Sequence, residues 1–186
     1  MARSGSALRA RLLDAALRLF AVHGYRGTSL HDIAVEVGCS KASLLYHFDD
    51  KEAILAELLA PAVAALGELN DRMRDVPDDH VAETVADGFV DLALRFRREI
   101  SLVLSDAPET TGNRAWRGAA PEDVDRLLDA LAGRSRRPED RLRAWMAVGT
   151  VVLACASGLE LPGDLMRERL VGGVLRVLDV NGPERA

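Results

Sequence analysis

The sequence predicts an all-α fold, and three observations carry that expectation. Apolar residues recur at intervals of three and four along most of the 186 residues, and no stretch alternates as a half-buried strand does. Aromatic residues make up 4% of a chain that is 48% hydrophobic, so the core must be built from Leu, Val and Ala, which suits packed helices. Gly24, Gly38, Gly133 and Pro162-Gly163 punctuate the periodic segments at helix-sized intervals.

Residues 1–7, which include Arg3, read as a small, polar arm without structure of its own. A first helix is expected from about Ala7 to Val22, where Leu8, Leu12, Ala16, Leu19 and Phe20 form one stripe and Gly24 supplies a stop. Gly27-Thr28-Ser29 opens a second, short helix. Ser29 and Asp32 have capping-box spacing, with Asp in place of Glu, and Leu30, Ile33, Ala34 and Val37 face inward. Gly38 ends this helix and permits a tight turn, and Ser40 caps a third helix of about two turns. Its inner face is Leu44 and Phe48; its outer face is Lys41, Ser43, Tyr46 and His47. A helix only ~10 Å long cannot stand alone and needs the second helix as a brace. Helix, short turn, helix is the helix-turn-helix plan, in which the second helix enters the major groove of DNA. Thr28, Ser29 and Ser40 then lie at helix starts, where backbone N–H groups and the helix dipole favour a phosphate; the same hydroxyls also serve as caps.

Asp50 caps a fourth helix with Lys51 and Glu52 in its first turn. Pro61 removes one hydrogen bond and clashes with the carbonyl of Glu57, so a kink or break is expected there before Val63, Leu66, Leu69 and Met73 resume the stripe. Val81, Val85, Phe89, Leu92 and Phe96 mark an amphipathic helix, and Ile100 to Leu104 a short one. Residues 105–120 read as a loop that contains Trp116. Pro121 starts a helix carrying Val124, Leu127, Leu128 and Leu131, and Gly133 to Pro138 form a basic linker. A long helix runs from Glu139 to about Leu161, and a last one carries Leu170, Val171, Val174, Leu175 and Leu178. Two domains follow: 1–50, the helix-turn-helix head, and 51–186, a helical body.

Charge divides the chain the same way. The total is −5, but residues 1–51 carry 7 Lys+Arg against 5 Asp+Glu, whereas residues 52–186 carry 17 against 24. A basic head on an acidic body keeps attraction for phosphate local. Of the 24 basic residues only Lys41 and Lys51 are lysine, and they bracket the third helix. A compact ammonium on a flexible stem suits single phosphate contacts.

Other classes find little support. His23, His31, His47 and His80 show no triad or metal spacing, and no glycine loop cradles a phosphate, so neither an enzyme nor a metal or cofactor site is expected. Cys39 and Cys155 read as small buried hydrophobes. The N-terminus lacks an apolar signal core. The longest uncharged run, Ala144 to Leu159, is shorter than the roughly 18 residues a membrane span requires, so a cytoplasmic protein is expected. A helical protein–protein adaptor without DNA activity remains the alternative.

Residues Leu12 to Leu58 resemble the N-terminal domain of TetR-type transcriptional regulators. The pieces that match are Ala15-Ala16-Leu17-Arg18-Leu19-Phe20, Gly24-Tyr25-Arg26-Gly27-Thr28-Ser29, Asp32-Ile33-Ala34, Gly38 through Phe48, and Lys51-Glu52, in order and at family spacing. The resemblance implies DNA contacts at Thr28, Ser40, Lys41, Ala42, Ser43, Leu45, Tyr46, His47 and Lys51. Two positions depart from the family pattern. Cys39 stands where valine is usual, and Leu45 where an aromatic is frequent, which makes that contact apolar and suited to a thymine methyl. The resemblance further implies a homodimer, a palindromic operator on double-stranded DNA, repression, and release by a small molecule bound in the C-terminal domain. For the dimer, the last two helices offer small residues that allow close approach: Ala147, Gly149, Ala154, Ala156, Gly158, Gly172 and Gly173. For the ligand, Phe89, Phe96, Trp116, Trp145 and Met146 are the candidate lining, each also compatible with a place in the core.

Overall fold

The computed structural model describes residues 2–105 and 121–180, and every regular element among them is a helix. In chain order these are α1 (Ala2–Gly27), α2 (Leu30–Val37), α3 (Lys41–Leu45), α4 (Lys51–Met73), α5 (Asp78–Arg95), α6 (Arg97–Ser105), α7 (Pro121–Leu131), α8 (Pro138–Ala156) and α9 (Gly163–Leu178). They divide into two compact units. Described residues up to Pro61 and residues 101–105 belong to the first; Ala62–Ile100 and residues 121–180 belong to the second. The boundary expected after residue 50 therefore shifts, because α4 and α6 each contribute to both units.

The first unit is built on the expected stripe of α1. Leu12, Ala15, Ala16 and Phe20 pack with Ile33, Ala34 and Val37 of α2, Leu44 of α3, Phe48, Ile54 of α4 and Leu102 of α6. Complete burial of a Leu or Phe side chain is worth about 1.5–3 kcal/mol, so this small cluster can hold a helix as short as α3. Leu102 was not expected in a head ending at residue 50; its partners are more than forty residues away in sequence. The N-terminal arm also differs from expectation, since α1 begins at Ala2. Each residue added to an existing helix needs no new nucleus, which lets α1 extend into a weakly helix-forming stretch. Gly24 interrupts α1 as expected, with φ 76° and ψ 162°, and a further turn follows to Gly27.

The second unit has the larger core. Leu69 and Met73 of α4 meet the α5 face Val81, Val85, Ala86, Phe89, Val90 and Ala93, and α7 adds Leu127, Leu128 and Leu131. Ala144, Ala147, Val151 and Cys155 of α8 and Met166, Leu170, Val174 and Leu178 of α9 complete it. α4 runs through Pro61 without the expected break. Pro61 lies on the exposed side of the helix, where water can satisfy the carbonyl left by the missing N–H. α8 ends at Ala156, short of the expected Leu161. Arg97 accounts for that early end: its Nε donates to the carbonyl of Cys155 at 2.9 Å and its Nη2 to that of Leu159 at 2.7 Å. Charged donors on the orphan carbonyls of a helix end stabilise the stop. The basic linker has a role of the same kind. Arg134 donates to the carbonyls of Met73 at 2.7 Å and Val76 at 2.9 Å and pairs with Asp78, closing the turn between α4 and α5. No helix among the described residues is long and apolar enough to cross a membrane.

Candidate nucleic-acid interface

α2 is fixed at both ends by local chemistry. The Ser29 hydroxyl accepts from the Asp32 N–H at 3.2 Å, and Asp32 Oδ2 accepts from the Ser29 N–H at 2.8 Å and from its hydroxyl at 2.7 Å. This is the reciprocal capping box that the spacing predicts. These bonds from Ser29 hold the Asp32 carboxyl below its ordinary range. At the other end Gly38 is left-handed (φ 76°, ψ 37°), its N–H bonded to the Val35 carbonyl and that of Cys39 to the Ala34 carbonyl. That is the Schellman arrangement, which a Cβ would oppose. Arg11 of α1 adds an Nη2 donor to the Val37 carbonyl at 2.7 Å.

The turn after Gly38 delivers Ser40, whose hydroxyl accepts from the Ser43 N–H at 3.1 Å. α3 then presents two faces. Leu44 and Phe48 are buried, while Lys41, Ala42, Leu45 and Tyr46 are exposed and Ser43 and His47 half-buried. Tyr46 is 86% exposed, with its ring edge-on to His47 at 5.3 Å. A tyrosine so far from the core contributes little to folding and is available to a partner.

The expected contact residues thus separate into two groups. Lys41, Ala42, Ser43, Leu45, Tyr46 and His47 share the α3 segment, and Ser40 caps it. Thr28 and Lys51 are engaged inward instead, and Ser29, though exposed, is taken up by its own helix cap. Thr28 is 2% exposed and its hydroxyl donates to the Gly24 carbonyl at 2.9 Å. Ser29 holds its hydroxyl in the capping box, where the Asp32 carboxylate already occupies the helix start. Lys51 Nζ donates to the carbonyls of Tyr25 at 2.6 Å and Thr28 at 2.8 Å and lies 4.2 Å from the centre of the Tyr25 ring. Arg11 and Tyr25 were not singled out from the sequence, because their partners lie at the far ends of other helices.

The aromatic set proposed for a ligand does not converge. Phe89 and Phe96 are buried, Phe89 in the second unit's core and Phe96 under the Arg95 guanidinium at 5.1 Å. Trp145 and Met146 are exposed on α8, and Trp116 lies outside the described residues. They follow the 3.6-residue period of their own helices, which separates buried from exposed positions. The small residues also divide. Ala147 is buried within the protomer, Gly149, Gly172 and Gly173 are half-buried, and Gly158 is exposed. What α8 turns outward is larger: Leu142, Trp145, Met146 and Leu153, at helical spacing, with Leu142 61% and Leu153 65% exposed. Of the cysteines, Cys155 is buried, with its thiol pushed upward by burial, while Cys39 is only half-buried.

The family model described as "Bacterial regulatory proteins, tetR family" matches residues 12–58, from within α1 into α4. The chain is 31% identical over 105 residues to the biofilm operon icaADBC HTH-type negative transcriptional regulator IcaR of Staphylococcus aureus; the match covers 55% of this chain and 56% of that protein. The chain thus spans about half the length of that relative. It is 31% identical over 168 residues to the HTH-type transcriptional repressor Rv1474c of Mycobacterium tuberculosis, covering 87% of this chain and 82% of that one. Among solved structures, AmtR of Mycobacterium smegmatis superposes with a TM-score of 0.68 at 28% identity, over 91% of this chain and 85% of the other. By the matched head and the match to the mycobacterial repressor along most of both chains, this protein belongs to the tetR family of bacterial regulatory proteins.

Proposed function

We propose that the protein is a DNA-binding transcriptional repressor that acts as a homodimer on a palindromic operator and is released by a small molecule. The observation that carries this reading is the α3 segment: a short helix locked by Leu44 and Phe48, with Lys41, Leu45 and Tyr46 turned to solvent. One such helix reads few base pairs. Two, related by a two-fold axis, double the site and set half-sites one helical turn apart, ~34–36 Å. The outward stripe of α8 supports the second copy, because four large apolar side chains on one helix face lose contact with water when paired. Effector action belongs in this reading to the second unit. A ligand that prefers the non-binding state by roughly 2–3 kcal/mol lowers DNA affinity by tens to over a hundredfold.

The test is fluorescence anisotropy of the full chain against the intergenic DNA beside its own gene, titrated across salt. Selective binding whose log–log salt slope is about −0.9 per phosphate contact supports the reading. Salt-insensitive binding, or none to that DNA or to a randomised library, overturns it in favour of an adaptor.

A further inference from the structure

We propose that Lys51 is a positioning residue for the DNA-reading helix pair: its ammonium latches the turn between α1 and α2 to the first turn of α4, and it is not a phosphate contact. The inference rests on the DNA-binding reading above. Two carbonyls, those of Tyr25 and Thr28, accept from Nζ at 2.6 and 2.8 Å, and the face of the Tyr25 ring lies 4.2 Å away. Both carbonyls belong to the stretch that follows the left-handed Gly24, where α1 gives out and its C-terminal carbonyls lack helical partners. A cation there neutralises the negative end of the helix dipole as well as binding the oxygens.

The geometry also accounts for the choice of lysine. This chain uses arginine at every basic position except Lys41 and Lys51. A guanidinium is a planar fork suited to paired acceptors in one plane. An ammonium is compact, and its tetrahedral donors reach two separate carbonyls while its bulk sits on a ring face. The Tyr25 ring is itself held, edge-on to Phe20 at 5.1 Å and packed against Leu55 and Leu59 of α4. Thr28 is fixed a second time by its hydroxyl on the Gly24 carbonyl at 2.9 Å. Ser29, the next residue, caps α2, and α2 braces α3. The position of Thr28 therefore sets where the helix-turn-helix begins, and Lys51 ties that position to α4.

Salt separates a latch from a contact. Lys51→Met keeps the stem and removes the ammonium. It is expected to weaken operator binding about tenfold or more at fixed salt, while the slope of log affinity against log salt stays that of wild type. Tyr25→Leu, which leaves the charge in place, is expected to weaken binding with the same unchanged slope. A Lys51→Met slope reduced by about 0.9 per protomer would assign Lys51 to a phosphate and overturn the latch. A DNA-free measurement judges the latch independently. The melting-temperature losses of Lys51→Met and Tyr25→Leu should be less than additive in the double variant, and additive losses would overturn the proposal. If wild type binds no operator, the DNA-binding reading fails, and the melting cycle alone decides whether Lys51 and Tyr25 act as one unit.

Discussion

Asp32 and Ser29 form the smallest unit with a measurable consequence. Removing the cap with Ser29→Ala is expected to cost about 1 kcal/mol, read as a lower melting temperature at neutral pH. The Asp32 carboxyl is held low by its bonds from Ser29, so its contribution is present above the ordinary carboxylate range and is lost as pH falls through the lower folded value. The penalty of Ser29→Ala should therefore shrink as pH falls from neutral through the ordinary carboxylate range and below it; a constant penalty would count against the reciprocal bond. This pair was legible in the sequence because capping is local, with donor and acceptor three residues apart. Lys51 was legible only as a charge. Its acceptors lie twenty-six and twenty-three residues away. Local spacing cannot tell a lysine that faces solvent from one folded back on a carbonyl.

At the scale of the element, α3 has its supports and its working face on opposite sides. Tyr46→Phe and Lys41→Ala should leave the melting temperature at the wild-type value. They should weaken operator binding, roughly three- to tenfold for the lost tyrosine hydroxyl and with a salt slope shallower by about 0.9 per protomer for the lost lysine. Loss of fold in either variant, or wild-type binding by both, would remove the assignment of that face. The helix ends of the second unit were less legible. Pro162-Gly163 is a strong stop, yet α8 ends earlier, where Arg97 from α6 holds the carbonyls of Cys155 and Leu159. Arg97→Met should lower stability by about 1–2 kcal/mol, seen as a drop of several degrees in melting temperature. The helix-spanning periods were readable throughout, but a terminus set by a side chain some sixty residues away has no sequence signature.

At the scale of the whole molecule, head and body differ in how much the sequence reveals. The head is a small cluster in which the starts of α2 and α3 and the turn between them are locally encoded, and its motifs extend to α4. The body is specified by periodicity alone, which orders its helices without saying which aromatic faces a ligand. Phe89 and Trp145 were grouped by residue type, and the structure puts one in the core and the other at the surface. The outward stripe of α8 leads to a test of assembly. Leu153→Arg should convert a dimer to a monomer in analytical ultracentrifugation, keep the helical content, and weaken operator binding by abolishing the second half-site contact. A variant that sediments like wild type would move the dimer surface elsewhere. The placement of the two lysines has a practical corollary. Side-chain amines occur at two positions only: Lys41 is exposed on α3, and Lys51, at the start of α4, is half-buried under Tyr25. Among the side chains, an amine-directed handle, whether a fluorophore, a biotin or a sensor surface, will therefore react by preference at Lys41. Binding assays built on such coupling would mask the face that they are meant to report, and a tag placed through the body by another chemistry avoids that outcome.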